Sequence, residues 1–169
     1  TFTYGRIEAR IKFPGGKGTW PAFWMMGNSG NWPNCGEIDI MEHVGSIPNR
    51  ASFALHTVEK NGTRGNNWHS TKMFDYSLAD DFHTYAVEWA QEEKDGKDVI
   101  RFFVDGVQYA EQWEAKIDNN DSWPFNKPHF IILNLAIGGT MGGSVDDAIF
   151  NVPRIMYVDY VRVYQRTEK

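Results

Sequence analysis

The fold class follows first from residues 99–113, which read VIRFFVDGVQYAEQW. Two apolar runs, rich in β-branched and aromatic residues, flank the dipeptide Asp105-Gly106. Such a pair closes a two-residue hairpin, because both central positions of a type I′ turn need positive φ angles. The stretch therefore predicts two antiparallel strands in which Val104 and Val107 lie directly opposite each other.

Similar short runs recur along the rest of the chain. Gly, Pro, Asn and Asp separate them at intervals of about ten to fifteen residues, a spacing typical of all-β proteins. A sustained 3.6-residue apolar periodicity, which would indicate amphipathic helices, is not evident. The pattern predicts nine strands, at residues 4–13, 20–26, 37–43, 52–57, 82–89, 99–104, 107–113, 129–137 and 154–164.

One of these runs, residues 130–137, is almost entirely apolar, with Asn134 as its one polar interruption. A continuous apolar strand is typical of a position covered on both faces. We therefore expect this strand to be central. Together with eight other short strands it predicts an all-β, jelly-roll β-sandwich of two antiparallel sheets. A single domain accounts for residues 1–169.

Composition narrows the class of partner. The 22 acidic and 17 basic side chains give a net charge of −5, whereas nucleic-acid binders depend on an excess of Lys and Arg to neutralise phosphates. No apolar stretch approaches the roughly 20 residues that span a bilayer. Aromatic residues make up 15% of the chain, and flat rings beside acidic groups suit a sugar. We expect neither nucleic acid nor membrane as a partner.

Residues 36–43, GEIDIMEH, contain three acids in one short strand. Side chains alternate along a strand, so Glu37 and Asp39 share one face while the isoleucines face the core. Plain alternation would bury Glu42 on the isoleucine face, at a cost of several kcal/mol for an unpaired carboxylate. One extra residue, a β-bulge around Met41, returns Glu42 to the Asp39 face.

The expected spacing of these acids bears on the reaction. With the bulge, the carboxyl groups of Glu37 and Glu42 lie about 5 to 6 Å apart, near the spacing of retaining glycosidases and below that of inverting ones. One glutamate would attack the anomeric carbon and the other would serve as acid and then base. Asp39 lies between them, and its charge would help to keep the acid protonated.

An alternative is that the acids form the solvated face of an edge strand, or a cation site. The segment TWPAFWMM, residues 19–26, favours a sugar site instead. Trp20 and Trp24 share one face of this predicted strand with a small residue between them. Phe23 and Met25 supply the opposite, core face, so the two indoles are free to form a wall on which a sugar can stack.

Several motifs resemble glycoside hydrolase family 16, and within it the bacterial laminarinases, which are endo-β-1,3-glucanases. They cover nearly the whole chain in order, at residues 4–12, 18–25, 32–42 and 130–139. The resemblance implies a jelly roll with a concave substrate cleft. It also implies that Glu37 is the nucleophile, Glu42 the acid/base and Asp39 a helper, with Trp20 and Trp24 stacking on sugars.

Three further residues are candidates for substrate binding. His56 could bond a glucose hydroxyl or be structural, and Asn134 could line the cleft or tie strands together. Arg6, in the first motif of the resemblance, is the third. We expect a polysaccharide partner and no cofactor for catalysis.

Members of the family usually carry several dozen residues before the strand that begins here, so a segment of the same domain is expected to be missing. Met141 lies near a position where many laminarinases have tryptophan. The family often binds a structural calcium, and Asp159 matches a C-terminal ligand of that ion. A secreted location, extracellular or periplasmic, is expected, with the signal peptide outside this sequence.

These observations predict a retaining endo-hydrolase of β-1,3-glucan. One alternative is a family member that acts on mixed-linkage β-1,3-1,4-glucan or on a red-algal galactan such as agar or carrageenan. Another is a non-catalytic β-glucan-binding module, which would need the aromatic wall but not the paired glutamates.

Overall fold

The computed structural model describes residues 1–79, 81–91, 95–114 and 123–166. In that part of the chain there are ten strands and four short helical segments. The strands are β1 (Gly5–Lys12), β2 (Thr19–Gly27), β3 (Glu37–Glu42), β4 (Arg50–His56), β5 (Trp68–Met73), β6 (His83–Gln91), β7 (Asp98–Val104), β8 (Val107–Trp113), β9 (His129–Ile137) and β10 (Tyr157–Tyr164). The helical segments are α1 (Gly139–Gly142) and the 3₁₀ turns Gly62–Arg64, Pro124–Asn126 and Asp147–Asn151.

The strands form two five-stranded antiparallel sheets, which confirms the β-sandwich. Sheet A has the order β5-β4-β3-β2-β9 and sheet B the order β10-β1-β6-β7-β8. Side chains such as Phe53 of sheet A and Phe102 of sheet B meet between the sheets, with ring centroids 5.4 Å apart. None of the described helical segments is long or apolar enough to cross a membrane.

The hairpin that defines the fold class is present as predicted. Val104 pairs with Val107, and the turn residues Asp105 and Gly106 have φ angles of 49° and 79°. All nine expected strands occur, although the last begins at Tyr157 instead of residue 154. The tenth, β5, is not among the nine predicted strands, because its sequence WHSTKM is largely polar; its burial in the structure is only partial.

The prediction that residues 130–137 form a central strand covered on both faces is wrong. Strand β9 lies at the edge of sheet A and, in the described residues, pairs along its length with β2 alone. Its inward-facing residues Leu133 and Ile137 remain 36% and 41% exposed. An apolar sequence shows that a strand needs cover, but it does not show that this chain supplies it.

Strand β10 is the matching edge of sheet B. Val161 and Val163 pair with Ala9 and Ile7, so they face inward, yet both are 39% exposed. Because Trp68 of β5 stacks on Phe102 of β7, β9 and β10 lie on the same side of the sandwich. We call this the open side of the sandwich, formed by the inward-facing residues Leu133, Ile137, Val158, Val161 and Val163.

Candidate active site

The bulge in β3 brings the three acids to one face. Asp39 pairs with Trp24 and Met41 with Phe23, which leaves Ile40 as the extra residue in β3. Ile40 and Met41 are both fully buried, so two successive apolar side chains are accommodated in the core. The expected bulge is therefore confirmed, and Glu37, Asp39 and Glu42 lie together on the outer face of sheet A, which we call the site face.

Each glutamate accepts a hydrogen bond from an indole N–H. Trp32 Nε1 donates to Glu37 Oε2 at 2.6 Å, and Trp20 Nε1 donates to Glu42 Oε1 at 3.0 Å. These donors fix one oxygen of each glutamate, and Glu37 also shares a side-chain hydrogen bond with Asp39. Asp39, between them, is only 3% exposed.

His56 is engaged at both ring nitrogens, although a glucose hydroxyl was one of its expected partners. Its Nε2 lies 3.1 Å from Asp39 Oδ2 and 3.8 Å from Glu37 Oε1. The backbone N–H of Gly62 donates to its Nδ1 at 3.0 Å. His56 therefore belongs to the site, but it contacts the acids and not an open surface.

Burial raises the pKa of all three carboxyl groups, and repulsion among them adds to the effect. The pKa of Glu37 rises to about 8, chiefly through burial and then through the charge of Asp39. Burial holds the pKa of Asp39 well above its usual range. The Trp20 indole opposes the rise in the pKa of Glu42. The three groups do not all ionise at neutral pH, so the site keeps at least one proton.

Glu37→Gln is expected to stabilise the fold, and more so at higher pH. The folded pKa of Glu37, about 8, exceeds the ordinary value of 4.5, so the wild-type chain loses stability as the pH rises from 4.5 through 8. Glutamine does not titrate. The gain should grow from below about 1 kcal/mol at pH 5 to about 4 kcal/mol at pH 8, a rise in Tm of about 12 °C. Thermal unfolding of both chains across this range checks it, and a pH-independent difference would contradict it.

The two tryptophans expected to form a sugar-stacking wall lie on the site face, since Phe23 and Met25 between and beside them are fully buried. Trp24 Nε1 donates to Asn134 Oδ1 at 2.7 Å. Asn134 pairs with Ala22 across the β2–β9 ladder, so it both lies on the site face and ties two strands together.

The turn at the start of α1 packs against the Trp20 ring. A Cβ atom at Gly139 would lie 3.2 Å from Trp20 Cζ3, and the backbone there has a φ of +78°. Gly143, in the same loop, also has a positive φ of +67°, but a Cβ atom there would meet nothing within 4 Å. The pair offers a matched test of how Trp20 is positioned.

Gly139→Ala should impair the site while Gly143→Ala should not. Both variants incur a similar backbone strain, on the order of 1 kcal/mol, but only the first displaces the indole that bonds Glu42. On the polysaccharide substrate expected from the sequence, we expect kcat/KM to fall about tenfold in Gly139→Ala and to stay within about twofold of wild type in Gly143→Ala. Equal losses in the two variants would show that backbone strain, not Trp20, is responsible.

Trp32 is the site residue that sequence reasoning missed. It lies in the loop between β2 and β3, which folds back tightly because Cys35 N donates to Asn31 O at 3.2 Å and Gly27 N donates to Gly36 O at 3.0 Å. The signal was present in the sequence, as an aromatic residue five positions before the first acid, but the loop's path was needed to aim its indole at Glu37.

Arg6 does not belong to the site, which corrects its assignment to substrate binding. It lies on the outer face of sheet B, opposite the site face, because its neighbour Ile7 points into the core. Its guanidinium pairs with Glu8 at 3.1 Å and with Glu88 at 2.9 Å. Arg6 thus belongs to a group of paired charges on the outer face of sheet B.

Asp159 is also remote from the site. Arg10 pairs with Tyr160 and Ile11 with Val158, so Asp159 is the extra residue of a second bulge, and Arg10 Nη1 contacts its carboxylate at 2.8 Å. Calcium needs several oxygen ligands. In the described residues, the group of three His, Cys or acidic side chains close enough together to hold a metal ion does not include Asp159. A structural calcium with Asp159 among its ligands stays a prediction for the whole protein.

Two glutamates lie on one face of a β-sandwich, each bonded by an indole and separated by a third carboxyl group, and glycoside hydrolases as a class use a pair of carboxyl groups. The family model "Glycosyl hydrolases family 16" matches residues 1–158, and the chain belongs to this family.

Relatives and solved structures agree with this assignment. The chain is 40% identical to a beta-glucanase of Rhodothermus marinus over 99% of its own length and 59% of the relative's. It is 36% identical to glucan endo-1,3-beta-glucosidase A1 of Niallia circulans, over 96% of this chain and 24% of that one. A laminarinase from a Flavobacterium species has a similar structure, with a TM-score of 0.82, 41% identity and coverage of 97% of this chain and 68% of the other. The chain thus spans well under two thirds of the length of these two curated relatives.

Proposed function

We propose that this chain is the catalytic part of a retaining endo-hydrolase of β-1,3-glucan, with Glu37 as nucleophile, Glu42 as acid/base and Asp39 between them. The observation that carries the proposal is the bulge in β3, which places both glutamates on the site face while each accepts an indole hydrogen bond. The names of the relatives support the substrate class, since they include a laminarinase and an endo-1,3-β-glucosidase.

In the first step, Glu37 attacks the anomeric carbon of the scissile sugar. Because Oε2 accepts the Trp32 hydrogen bond, Oε1 is the oxygen that forms the new C–O bond. The bond from the anomeric carbon to the leaving oxygen breaks, and that oxygen takes the proton of Glu42. Since Glu42 Oε1 accepts from Trp20, the proton is delivered from Oε2.

In the second step, water releases the sugar from Glu37. Glu42, now ionised, takes a proton from the water as the water oxygen attacks the anomeric carbon. The bond to Glu37 breaks and its carboxylate is restored. Two displacements at one carbon return the original β configuration.

Asp39 sets how many protons the three acids share. Its burial makes its own ionisation unfavourable, and its proximity to both glutamates makes simultaneous ionisation of all three unfavourable. We propose that the reactive form of the site has Glu37 ionised and Glu42 protonated; because the pKa of Glu37 is raised to about 8, this form becomes more populated as the pH rises toward 8. The Trp32 donor at 2.6 Å favours the ionised form of Glu37.

The polymer would cross the site face beside Trp20 and Trp24, whose rings offer stacking surfaces to successive sugars. Such a polysaccharide is met outside the cell, so a secreted location is part of the proposal. A panel of laminarin, lichenan, agarose and carrageenan, assayed for reducing ends, tests the substrate class. Laminarin should give the highest kcat/KM. Preference for another polymer would move the assignment to a sibling activity, and binding without hydrolysis would favour a glucan-binding module.

We also propose that the open side of the sandwich is covered in the whole protein by a further segment of the same domain. The inward faces of β9 and β10 are apolar and exposed, and the matched relatives are longer than this chain. The hydrophobic dye ANS should bind residues 1–169 alone and bind the longer gene product far less. Equal dye binding by both would contradict the proposal, and dye exclusion on dimerisation of residues 1–169 would make a second copy the occupant.

A further inference from the structure

His56 is held in one tautomer by the backbone. The Gly62 N–H donates to Nδ1 at 3.0 Å, and a nitrogen that accepts a hydrogen bond carries a lone pair and no proton. In the neutral ring the proton is then on Nε2. The Nε2–H therefore points toward the acids.

Asp39 Oδ2 is the carboxylate oxygen nearest to this nitrogen. It lies 3.1 Å from Nε2 and is a buried oxygen without a hydrogen bond of conventional geometry. Catalytic hydrogen bonds are often poorly aligned in the free enzyme and tighten when substrate binds. Glu37 Oε1, which we propose attacks the sugar, lies 3.8 Å from the same nitrogen.

A metal ion is the competing explanation for this cluster, because the ligand atoms of Glu37, Asp39 and His56 lie within 4.8 Å of one another. Binding through Nε2 would require a lone pair on that nitrogen and would move the ring proton to Nδ1. Nδ1–H would then face the Gly62 N–H, donor against donor. The backbone thus favours a hydrogen-bond donor at Nε2 over a metal ligand.

The loop that presents Gly62 is itself fixed. The side chain of Asn61, buried in the loop, donates to Thr57 O at 3.2 Å and to Val58 O at 3.1 Å. It also accepts from the Arg64 backbone N–H at 3.1 Å. Orientation of the His56 ring therefore does not depend on a mobile partner.

We propose that His56 is a positioning residue whose Nε2–H, fixed in place by the Gly62 backbone N–H, orients Asp39 beside Glu37 for attack on the sugar. The proposal rests on the hydrolase function proposed above. It replaces the expectation that His56 binds a glucose hydroxyl, and it couples the 57–66 loop to the acids of β3.

The first test removes the backbone donor and compares two variants that both place a Cβ atom 3.3 Å from His56 Cε1. Asn61 has φ −150° and ψ 166°, a conformation suited to the residue before proline, and Gly62 is the first residue of a 3₁₀ turn, where proline is tolerated. Gly62→Pro should have a kcat about tenfold lower than Gly62→Ala, which carries the same Cβ atom but keeps the N–H. Equal activity in the two variants would overturn the proposal.

The second test separates the contribution of His56 Nε2 from that of Nδ1. His56→Gln keeps a donor near the Nε2 position, and His56→Asn keeps only an acceptor near Nδ1. The charged groups near the ring are Glu37, Asp39 and Glu42 of β3, with Arg50 beside Glu42. In the loop, Arg64 pairs with Glu59.

Loss of the donor should make the acid cluster easier to protonate. The acid limb of the pH profile of kcat/KM should therefore move upward by about half a unit or more in His56→Asn, and it should stay in place in His56→Gln. An unmoved limb in both variants with a raised KM would show that His56 is a sugar ligand instead. This pair also keeps the proposal testable if Gly62→Pro fails to fold.

The tautomer is measurable even in a chain that hydrolyses nothing. Long-range ¹H–¹⁵N correlation on histidine-labelled protein, with His56→Asn to assign the signal, should show a protonated Nε2 and an unprotonated Nδ1. A protonated Nδ1 would overturn the proposal. Inactivity on every glucan together with the expected tautomer would refute the hydrolase function and leave the local geometry intact.

Discussion

Replacing Glu37 by serine should reduce the release of reducing ends from laminarin at least about a thousandfold, because serine cannot form the glycosyl–enzyme bond of a retaining hydrolase. Binding of laminarin should change little, since serine leaves the aromatic surfaces of Trp20 and Trp24 in place. Reducing-end assays and affinity electrophoresis measure the two quantities separately.

Azide gives this prediction a positive control. In Glu37→Ser, azide can occupy the space of the lost carboxylate and attack the anomeric carbon from the nucleophile's side, while Glu42 still protonates the leaving oxygen. The product should be the α-glycosyl azide. As a matched control, Glu111→Ser alters an exposed acid on sheet B and should retain wild-type turnover. Turnover near wild type in Glu37→Ser would refute its role as nucleophile.

Glu42→Gln should produce the second largest loss, about 10² to 10⁴-fold in kcat on laminarin, the usual contribution of a general acid and base. Glutamine can still accept the Trp20 hydrogen bond, but it has no acidic proton for the leaving oxygen. The loss should shrink on an aryl glycoside whose leaving group departs without protonation. The basic limb of the pH profile, which reports ionisation of Glu42, should disappear.

Azide distinguishes this variant from the first. In Glu42→Gln the glycosyl–enzyme bond to Glu37 still forms, and azide attacks it from the opposite face. The product should therefore be the β-glycosyl azide. If this variant gave the α-glycosyl azide, Glu42 would be the nucleophile and Glu37 the acid/base.

Local features of the sequence predicted much of the fold and of the site. The Asp105-Gly106 turn specified its hairpin because few dipeptides adopt two successive positive φ angles. The bulge in β3 was predictable because two apolar residues and an acid could not otherwise all lie on suitable faces. Both features depend on neighbours in sequence, which a single chain displays fully.

The features that were missed depend on what lies far away in sequence. Residues 130–137 indicated a covered strand, but cover depends on which strands lie alongside, and β9 is an edge in this chain. Arg6 lies in a different motif of the same family resemblance, and its strand β1 belongs to the other sheet. Trp32 and Gly62 lie in loops and reach Glu37 and His56 only because of the conformation of those loops. No residue pattern in the sequence predicted those conformations.

The environment of Asp159, in a second bulge, also depends on a residue that is distant in sequence. Plain alternation along β10 would put its carboxylate on the same face as Val161 and Val163, and in the structure an extra residue opposite β1 removes this conflict. The same physical rule predicted the bulge in β3 correctly. Here the ion pair with Arg10, 149 residues away in sequence, was not visible from the strand alone.

The central claim is that Glu37 and Glu42 act by double displacement, and the configuration of the first product tests it most directly. ¹H NMR of laminarin hydrolysis, recorded before mutarotation equilibrates the products, should show the β-anomer of the new reducing end forming first. The α-anomer as the initial product would contradict the claim, because a single displacement by water would then have occurred.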